Sequence, residues 1–218
     1  MKLIVIDGND GSGKQTQAEL TVKRLKEEGV NVSYVSFPNY QSPYCSLVKG
    51  YLNGDFGSDP SSVPAKVSSL FYAMDRYASM KTDGWMNADV VIVDRYTTSN
   101  MVHQAAKLPY AEREDYFDWL QEMEYKVLGI PVPDRVIFLD VPPKVSLSLR
   151  TSREGLKNGE SKDIHESNYQ FMKDSYDSAV DCSERFGWDV IHCAPDGDSM
   201  RSIESINDEV YNIVKGII

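Results

Sequence analysis

The chain has 218 residues and a formal net charge of −10 at pH 7, because 33 aspartate and glutamate side chains outnumber 23 lysine and arginine side chains. This length predicts one α/β domain with a sizeable core. The acidic balance argues against polymeric nucleic acid and anionic membrane as partners, since neither would be attracted electrostatically. No stretch of the sequence approaches the length of a membrane span.

The number and spacing of the cysteines predict a reduced, cytoplasmic protein. Cys45, Cys182 and Cys193 are odd in number and lack the spacing of metal ligands. The apolar run at the N-terminus is short and leads directly into a glycine-rich loop, a pattern that argues against a signal peptide.

The glycine-rich loop reads Gly8-Asn9-Asp10-Gly11-Ser12-Gly13-Lys14-Gln15-Thr16 and contains the G-x-x-x-x-G-K pattern of a phosphate-binding loop. Glycine lets the backbone approach an anion closely and turn its N–H groups toward it. Lys14 would reach the β- and γ-phosphates, and the next helix would add the positive end of its dipole. We therefore predict that this whole loop binds a nucleotide. The alternative is a glycine-rich turn with a surface lysine.

The apolar pattern predicts an α/β fold. A buried strand at 2–6 precedes the loop, and Ala18, Val22 and Leu25 follow it at helical spacing. Further strands are predicted at 30–36, 88–94, 134–141 and 188–193, and further helices at 43–52, 63–81, 95–107, 109–128, 143–150, 163–185 and about 203–213. Strands that alternate with helices imply a five-stranded parallel sheet with helices on both faces.

Two segments add to this outline. Residues 151–162 are polar, basic and contain glycine, so we predict a mobile loop there. The helix predicted at 109–128 is amphipathic, which favours a core face or a subunit interface. Its apolar stripe consists of Tyr116, Leu120, Met123 and Val127. Nothing in the sequence marks a domain boundary, so residues 1–218 are predicted to form a single domain.

One acid and several arginines stand where a parallel sheet binds ligands. The apolar strand at 88–94 ends in Asp94, which is typical of a carboxylate that supports a metal ion beside a phosphate loop. The arginines are Arg76, Arg95, Arg150 and Arg153. The planar guanidinium of arginine makes bidentate contacts with phosphate. If all four arginines converge with Lys14 on one cleft, this number of cations would suit two phosphorylated molecules better than one. The alternative for each arginine is a surface ion pair.

Four segments resemble thymidylate kinases in their order and spacing. They are Gly8–Lys14, Phe37–Tyr40, Leu70–Arg76 and Asp94–Asn100. The run Asp163-Ile164-His165-Glu166 also fits the pattern that follows the lid of that family, and the resemblance extends from Lys2 to the C-terminus. Many families share a phosphate loop, whereas Asp94-Arg95-Tyr96 and the spacing from Tyr72 to Arg76 are much more specific.

The resemblance implies the P-loop NTPase fold with a mobile lid at about 151–162. It also implies phosphoryl transfer from ATP to dTMP, giving ADP and dTDP for dTTP synthesis. The implied cofactors are ATP and Mg²⁺, and the implied assembly is a homodimer. Such a reaction depends on positioning and charge neutralisation, and a closing lid keeps water from the transferred group.

The resemblance further implies which residues bind phosphate and act in catalysis. Lys14 and the loop amides would hold the phosphate donor, and Asp10 would lie near the acceptor's sugar and the metal-bound phosphates. Arg76 and Arg95 would grip the monophosphate of the acceptor.

The lid and the segment after it complete the implied catalytic set. Arg150 and Arg153 would neutralise charge on the phosphoryl group as it moves. Gly11 stands where some family members have an arginine, which indicates the subtype that supplies this cation from the lid. Asp94 and Glu166 would support the metal ion through its waters. Glu166 alternatively fits a helix start, since it follows an aspartate cap by three residues.

A second implied set contacts the base and sugar of the acceptor. Tyr72 would stack on the base with Phe37 nearby, and Asn100 would hydrogen-bond the base edge. The alternatives are a core aromatic for Tyr72 and helix-start polar residues for Ser99 and Asn100. The remaining implied substrate-binding residues are Pro38, Tyr40, Ser99, His103 and Gln104.

Two residues depart from the family pattern. His103 stands where members often have a tyrosine associated with excluding a ribose 2′-hydroxyl, which leaves sugar discrimination open. Gln15 replaces the Ser or Thr whose hydroxyl would bind Mg²⁺. The longer amide fits an octahedral Mg²⁺ shell poorly, so we expect phosphate oxygens and waters to hold the ion, with Asp94 behind them.

Two other functions stay open. One is another nucleoside or nucleotide kinase, which a panel of acceptors would separate. The other is a P-loop protein that binds nucleotide or hydrolyses it slowly without an acceptor. In such a protein, the arginines and aromatic residues away from the phosphate loop would have no role.

Overall fold

The computed structural model describes residues 1–154, 163–165 and 167–218, with side chains for all of these except 150–154. Five parallel strands form one sheet in the order β2-β3-β1-β4-β5, which confirms the predicted architecture. The strands are β1 (Lys2–Gly8), β2 (Val32–Ser36), β3 (Val90–Asp94), β4 (Arg135–Asp140) and β5 (Asp189–His192). After β1 the chain runs to β2 at one edge of the sheet, and after β4 it runs to β5 at the other edge. Such a change of direction opens a crevice at the carboxyl end of β1.

Helices cover both faces of the sheet. They are α1 (Lys14–Glu27), α2 (Ser46–Leu52), α3 (Ala65–Thr82), α4 (Thr97–His103), α5 (Arg113–Gln121), α6 (Pro143–Glu154), α7 (Tyr169–Phe186) and α8 (Ile203–Lys215). Successive side chains of a strand point to opposite faces, so β1 contributes to two cores. Ile4 and Ile6 pack with α1 and α8, whereas Leu3 and Val5 pack on the face that contains Phe37.

The structure explains why two of the predicted helices begin later than expected. The helix predicted at 95–107 starts at Thr97, because Arg95 has a left-handed backbone (φ 64°) that an α-helix cannot include. The helix predicted from Asp163 starts at Tyr169, where Asn168 caps it by accepting from the N–H of Phe171 at 3.0 Å. The prediction of a helix start at Asp163 is therefore wrong.

The residues before α7 serve another contact. The N–H of Ile164 donates to the carbonyl of Leu52 at 3.1 Å, and the Ile164 side chain is buried against α2. The predicted loop at 151–162 also needs a correction at its start, because the backbone of 151–154 continues α6. The rest of that segment lies outside the described residues.

The amphipathic helix predicted at 109–128 is divided in two. After α5, residues Glu122–Val127 form a π-helical turn. The wider turn shifts the side chains that follow by one position. As a result Val127, predicted on the apolar face, is 73% exposed, and Glu124 is fully buried in its place.

Buried Glu124 joins three helical segments. Its Oε1 and Oε2 accept from Nη2 and Nε of Arg76 on α3, at 2.5 and 2.7 Å. The same carboxylate accepts from Thr97 Oγ1 at 2.8 Å and from Asn100 Nδ2 at 3.1 Å, both on α4. Burial opposes the charge on Arg76, but the Glu124 carboxylate raises the pKa of its guanidinium. The pair is therefore a fully hydrogen-bonded internal ion pair.

No helix among the described residues is long and apolar enough to cross a membrane. The three cysteines are buried and free. The cytoplasmic location and the single domain stay predictions.

We expect Glu124→Ala to lower the free energy of unfolding by about 3–5 kcal/mol, because it leaves the buried charge of Arg76 unpaired. The matched control is Glu122→Ala in the same turn, since Glu122 is exposed and pairs with exposed Lys126. That change should stay within about 0.5 kcal/mol. Urea unfolding followed by circular dichroism measures both. Equal losses for the two variants would contradict a structural role for the buried pair.

Candidate active site

The phosphate loop takes its shape from two glycines. At Gly8, where β1 ends, an added Cβ would meet Ser12 Oγ at 2.6 Å and the carbonyl of Leu139 at 3.0 Å, so only glycine fits. Gly13 has φ 87° and directly precedes α1. α1 therefore begins at Lys14, and the unpaired N–H groups of its first turn lie at the loop.

A cavity of about 530 Å³ opens beside this loop, between it and helices α3 and α4. Most of the predicted site residues line it. They are Asp10, Gly11, Gly13, Lys14, Gln15, Thr16, Phe37, Pro38, Tyr40, Tyr72, Arg76, Asp94, Arg95, Ser99, Asn100, His103 and Gln104. Gly8, Asn9 and Ser12 are buried within the loop. Four motifs that are far apart in sequence thus meet around one cavity.

The carboxylate of Asp10 lies between two cations. Its Oδ1 is 3.7 Å from Lys14 Nζ, and it also accepts a hydrogen bond from Arg95 Nη2. Burial would raise the pKa of Asp10, but Arg95 and Lys14 hold it well below its usual range. The lysine of the phosphate loop and the arginine that follows β3 are therefore brought together at one anion.

Arg95 is held from two directions. Its left-handed backbone is uncommon for a residue other than glycine, and its N–H donates to the carbonyl of Ile6 at 3.2 Å. Its Nη1 donates to His103 Nε2 at 3.1 Å. Burial and the neighbouring Arg95 charge lower the pKa of His103 to about 4, so the ring is neutral at neutral pH. Backbone strain of this kind concentrates at functional sites.

Arg76 lines the same cavity but is already paired. Two of its nitrogens bind Glu124, and Nη1 donates to the carbonyl of Tyr96 at 3.3 Å. Its side chain is 2% exposed. A contact with the acceptor's phosphate stays a prediction for Arg76, and Arg95 is the better-placed cation.

Aromatic side chains form another wall of the cavity. Tyr72 is half-buried and meets Tyr51 edge-on, with ring centroids 6.4 Å apart. Phe37 is buried and packs on Tyr96 at 6.0 Å. Tyr72 therefore has both a core contact and access to the cavity, and its stacking role stays a prediction.

The polar side chains of α4 bind buried partners instead of capping their own helix. Ser99 Oγ donates to the two oxygens of Asp7 at 2.8 and 3.1 Å. Asn100 Nδ2 donates to Glu124 Oε1 at 3.1 Å and to the carbonyl of Ser69 at 3.3 Å. Both amide hydrogens of Asn100 are thus used, and its Oδ1 stays an acceptor.

Asp94 and Gln15 face different surroundings. Asp94 is 5% exposed, and its Oδ2 lies 3.4 Å from the hydroxyls of Tyr34 and Ser36. Its buried Oδ1 has no hydrogen-bond partner among the described residues, and burial raises the pKa of the carboxyl. Gln15 is exposed, and its Nε2 donates to Glu19 Oε1 at 2.9 Å. The Asp94 carboxylate thus has an unpaired oxygen, whereas the amide of Gln15 is hydrogen-bonded to Glu19, and the metal roles of both residues stay predictions.

Sequence reasoning missed several residues that hold the site together. Asp7 follows an apolar strand and is buried, a position that could have indicated its role. Glu124 gave no such signal, because a charged residue beside the apolar stripe of a helix is usually exposed. His165 received no role, yet its Nε2 lies 2.8 Å from Tyr51 Oη and its ring is 5.9 Å from that of His103.

Three predicted residues fall outside this geometry. The side chains of Arg150 and Arg153, and the whole of Glu166, are not among the described residues, so their roles stay predictions. Asp163 and His165 are described, and both line the cavity.

Known proteins resemble this chain over most of its length. The sequence model of thymidylate kinase matches residues 6–186. The thymidylate kinase of Mycobacterium tuberculosis is 34% identical over 167 residues, which cover 75% of this chain and 77% of that relative. The thymidylate kinase of Danio rerio is 24% identical over 217 residues, which cover 99% of this chain and 91% of that relative.

A solved structure of thymidylate kinase from Candida albicans matches this fold. Its TM-score is 0.68 at 19% sequence identity, over 99% of this chain and 91% of the other. At this identity the match shows the fold alone, whereas the sequence matches show the family. Because the family model spans most of the chain and a relative exceeds 30% identity, this chain belongs to the thymidylate kinase family.

Proposed function

We propose that this chain transfers the γ-phosphoryl group of ATP to dTMP, giving ADP and dTDP. The observation that carries the proposal is the meeting of Lys14 and Arg95 at Asp10, because phosphoryl transfer needs the donor and acceptor phosphates side by side. Membership of the thymidylate kinase family supports dTMP as the acceptor.

When the substrates bind, Lys14 and Arg95 exchange their contact with the Asp10 carboxylate for contacts with phosphate groups. Lys14 and the loop N–H groups bind the donor's β- and γ-phosphates, while Arg95 binds the acceptor's phosphate. A phosphate oxygen of dTMP attacks the γ-phosphorus, and the bond from that phosphorus to the bridging oxygen of ADP breaks. Positioning and charge neutralisation supply the catalysis, so no covalent enzyme intermediate is needed.

Asn100 supports thymine as the base. Because Glu124 and Ser69 occupy both of its amide hydrogens, its Oδ1 is left to accept a hydrogen bond. Thymine and uracil carry a hydrogen on N3, whereas cytosine presents an unprotonated acceptor at that atom. A fixed acceptor in the cavity therefore favours thymine and uracil over cytosine. Tyr72 stacks on the base in this arrangement.

We expect dTMP to be the preferred acceptor, with kcat/KM for dCMP lower by about 10- to 100-fold, because two facing acceptors leave a buried polar group unpaired. ADP release should be measured with ATP, Mg²⁺ and equal concentrations of dTMP, dUMP, dCMP, dGMP and UMP. A clear preference for a purine or cytidine nucleotide would end the thymidylate proposal. ADP release independent of any acceptor would favour a nucleotide-hydrolysing protein. Comparison of UMP with dUMP shows whether His103 discriminates the sugar.

Mg²⁺ is the proposed cofactor, held mainly by phosphate oxygens. The described residues contain no group of three or more His, Cys, Asp or Glu side chains that could hold a metal ion, and Mg²⁺ often keeps its waters beside one or two carboxylates. The unpaired Oδ1 of Asp94 fits such a place, since it can accept from a metal-bound water. Asp10 is a second carboxylate at the cavity. A bound ion would neutralise charge on the β- and γ-phosphates.

Gln15→Ala should change the Mg²⁺-dependent rate little, because the amide is turned toward Glu19. Asp94→Asn should lower the rate by roughly 10- to 100-fold, the usual cost of losing a group that orients metal-bound water. The measurement is rate against Mg²⁺ concentration for wild type and both variants. Equal damage in the two variants would show that the glutamine itself is a metal ligand.

The exposed face of α3 is the proposed interface of a homodimer, the assembly that the family resemblance implies. Val67, Leu70, Met74 and Tyr77 recur at helical spacing and are 41, 40, 39 and 37% exposed. A two-fold axis across this helix would place the same stripe on both subunits and bury it.

Sedimentation should give twice the chain mass for wild type. Leu70→Glu should shift the protein toward the monomer, because the dimer would bury the glutamate charge without a partner. Val132→Glu is the matched control, because Val132 is apolar and 63% exposed but lies off this stripe. A monomeric wild type, or equal behaviour of the two variants, would exclude α3 as the interface.

A further inference from the structure

A second, much smaller cavity lies behind the phosphate loop. It is bounded by the loop at Asn9, by α4 at His103, by α6 at Ser146 and by α7 at Phe171 and Ser175. The volume in which the centre of a water molecule can lie is about 10 Å³. This is close to the space that a single water needs, and a second water would not fit.

Three buried polar atoms belong to residues that line this cavity. They are Asn9 Oδ1, His103 Nδ1 and Ser175 Oγ, and none has a hydrogen-bond partner among the described residues. Asn9 is 5% exposed and Ser175 is 2% exposed. Buried polar atoms are rarely left unpaired. One water molecule in this cavity would give all three atoms a hydrogen-bond partner.

The proton on His103 can be placed from its partner. Arg95 Nη1 donates to His103 Nε2 at 3.1 Å, and a guanidinium has no acceptor, so Nε2 carries the lone pair. A neutral imidazole then has its hydrogen on Nδ1. His103 therefore presents a donor on the side where Asn9 presents an acceptor, and the Ser175 hydroxyl can serve as either.

We propose that this cavity binds one ordered water molecule that links Asn9, His103 and Ser175. The water accepts from His103 Nδ1–H, donates to Asn9 Oδ1 and forms its third hydrogen bond with Ser175 Oγ. Three partners are the usual number for a buried water. The water completes a ring of hydrogen bonds that runs from Asn9 through His103 and Arg95 to Asp10, the next residue of the phosphate loop.

This ring makes His103 a positioning residue for Arg95. By holding the hydrogen on Nδ1, the water keeps the Nε2 lone pair directed at the guanidinium, which in turn stays beside Asp10. The consequence for substrate rests on the proposed function, in which Arg95 binds the phosphate of dTMP. The water site itself does not depend on that function.

The direct test is a crystal structure of the wild-type chain at a resolution that shows waters, with ¹⁵N NMR of its histidines. We expect one water within hydrogen-bond distance of all three atoms, about 2.7–3.2 Å, and an Nδ1–H tautomer for His103. A dry cavity, direct protein partners for these atoms, or an Nε2–H tautomer would overturn the proposal.

The kinetic test uses Ser175→Val, whose side chain fills the space of the water. We expect KM for dTMP to rise by roughly 2- to 12-fold, the range for one lost hydrogen bond, while kcat changes less than about twofold. Ser178→Val is the matched control: Ser178 is buried one turn further along α7, donates to the carbonyl of Met101 and does not line the cavity. An unchanged KM in folded Ser175→Val, or equal changes in both variants, would overturn the link to Arg95. Failure of wild type to phosphorylate dTMP would instead reject the proposed function and leave the water to crystallography.

Discussion

The acceptor side of the cavity depends on one buried ion pair, Glu124 with Arg76. A buried charge is costly unless its partner is in place, so the pair stabilises the observed arrangement of α3 and α4 around Glu124. Glu124 also holds the amide of Asn100, whose proposed role is to select a hydrogen-bond donor on the base. The carboxylate points inward only because a π-helical turn adds a residue to the helix that carries it. One extra residue in a helix turn thereby places the carboxylate on which the proposed base contact of Asn100 depends.

The phosphate end of the cavity uses a carboxylate in a different way. The side chain of Asp10 is 30% exposed, and Lys14 and Arg95 share it. Water and phosphate both have access to this ion cluster, so its contacts are exchangeable, unlike those of Glu124. A buried ion pair thus shapes the wall of the cavity that is proposed to bind the base, and an accessible ion cluster lies where phosphoryl transfer is proposed.

The sequence predicted those features whose signals are local. Glycine spacing identified the phosphate loop, apolar runs identified all five strands, and the motifs around Tyr72 and Arg95 do line one cavity. Features that depend on distant contacts were not predictable. The π-helical turn buries Glu124 against Arg76, which lies on another helix. The late start of α7 at Tyr169 accompanies the packing of Ile164 against α2. Neither partner is visible from the segment's own pattern.

The charges in the cavity indicate what else the reaction needs. Among the described side chains, the cations there are Lys14, Arg76 and Arg95, and the carboxylates in or beside it are Asp7, Asp10, Asp94, Glu124 and Asp163. These carboxylates outnumber the cations, and burial lowers the pKa of the two histidines that line the cavity. ATP and dTMP would each add negative charge, which phosphoryl transfer requires to be neutralised. Further positive charge would therefore have to enter with the substrates, for which Mg²⁺ on the donor phosphates is proposed, or come from Arg150 and Arg153, as the family resemblance implies.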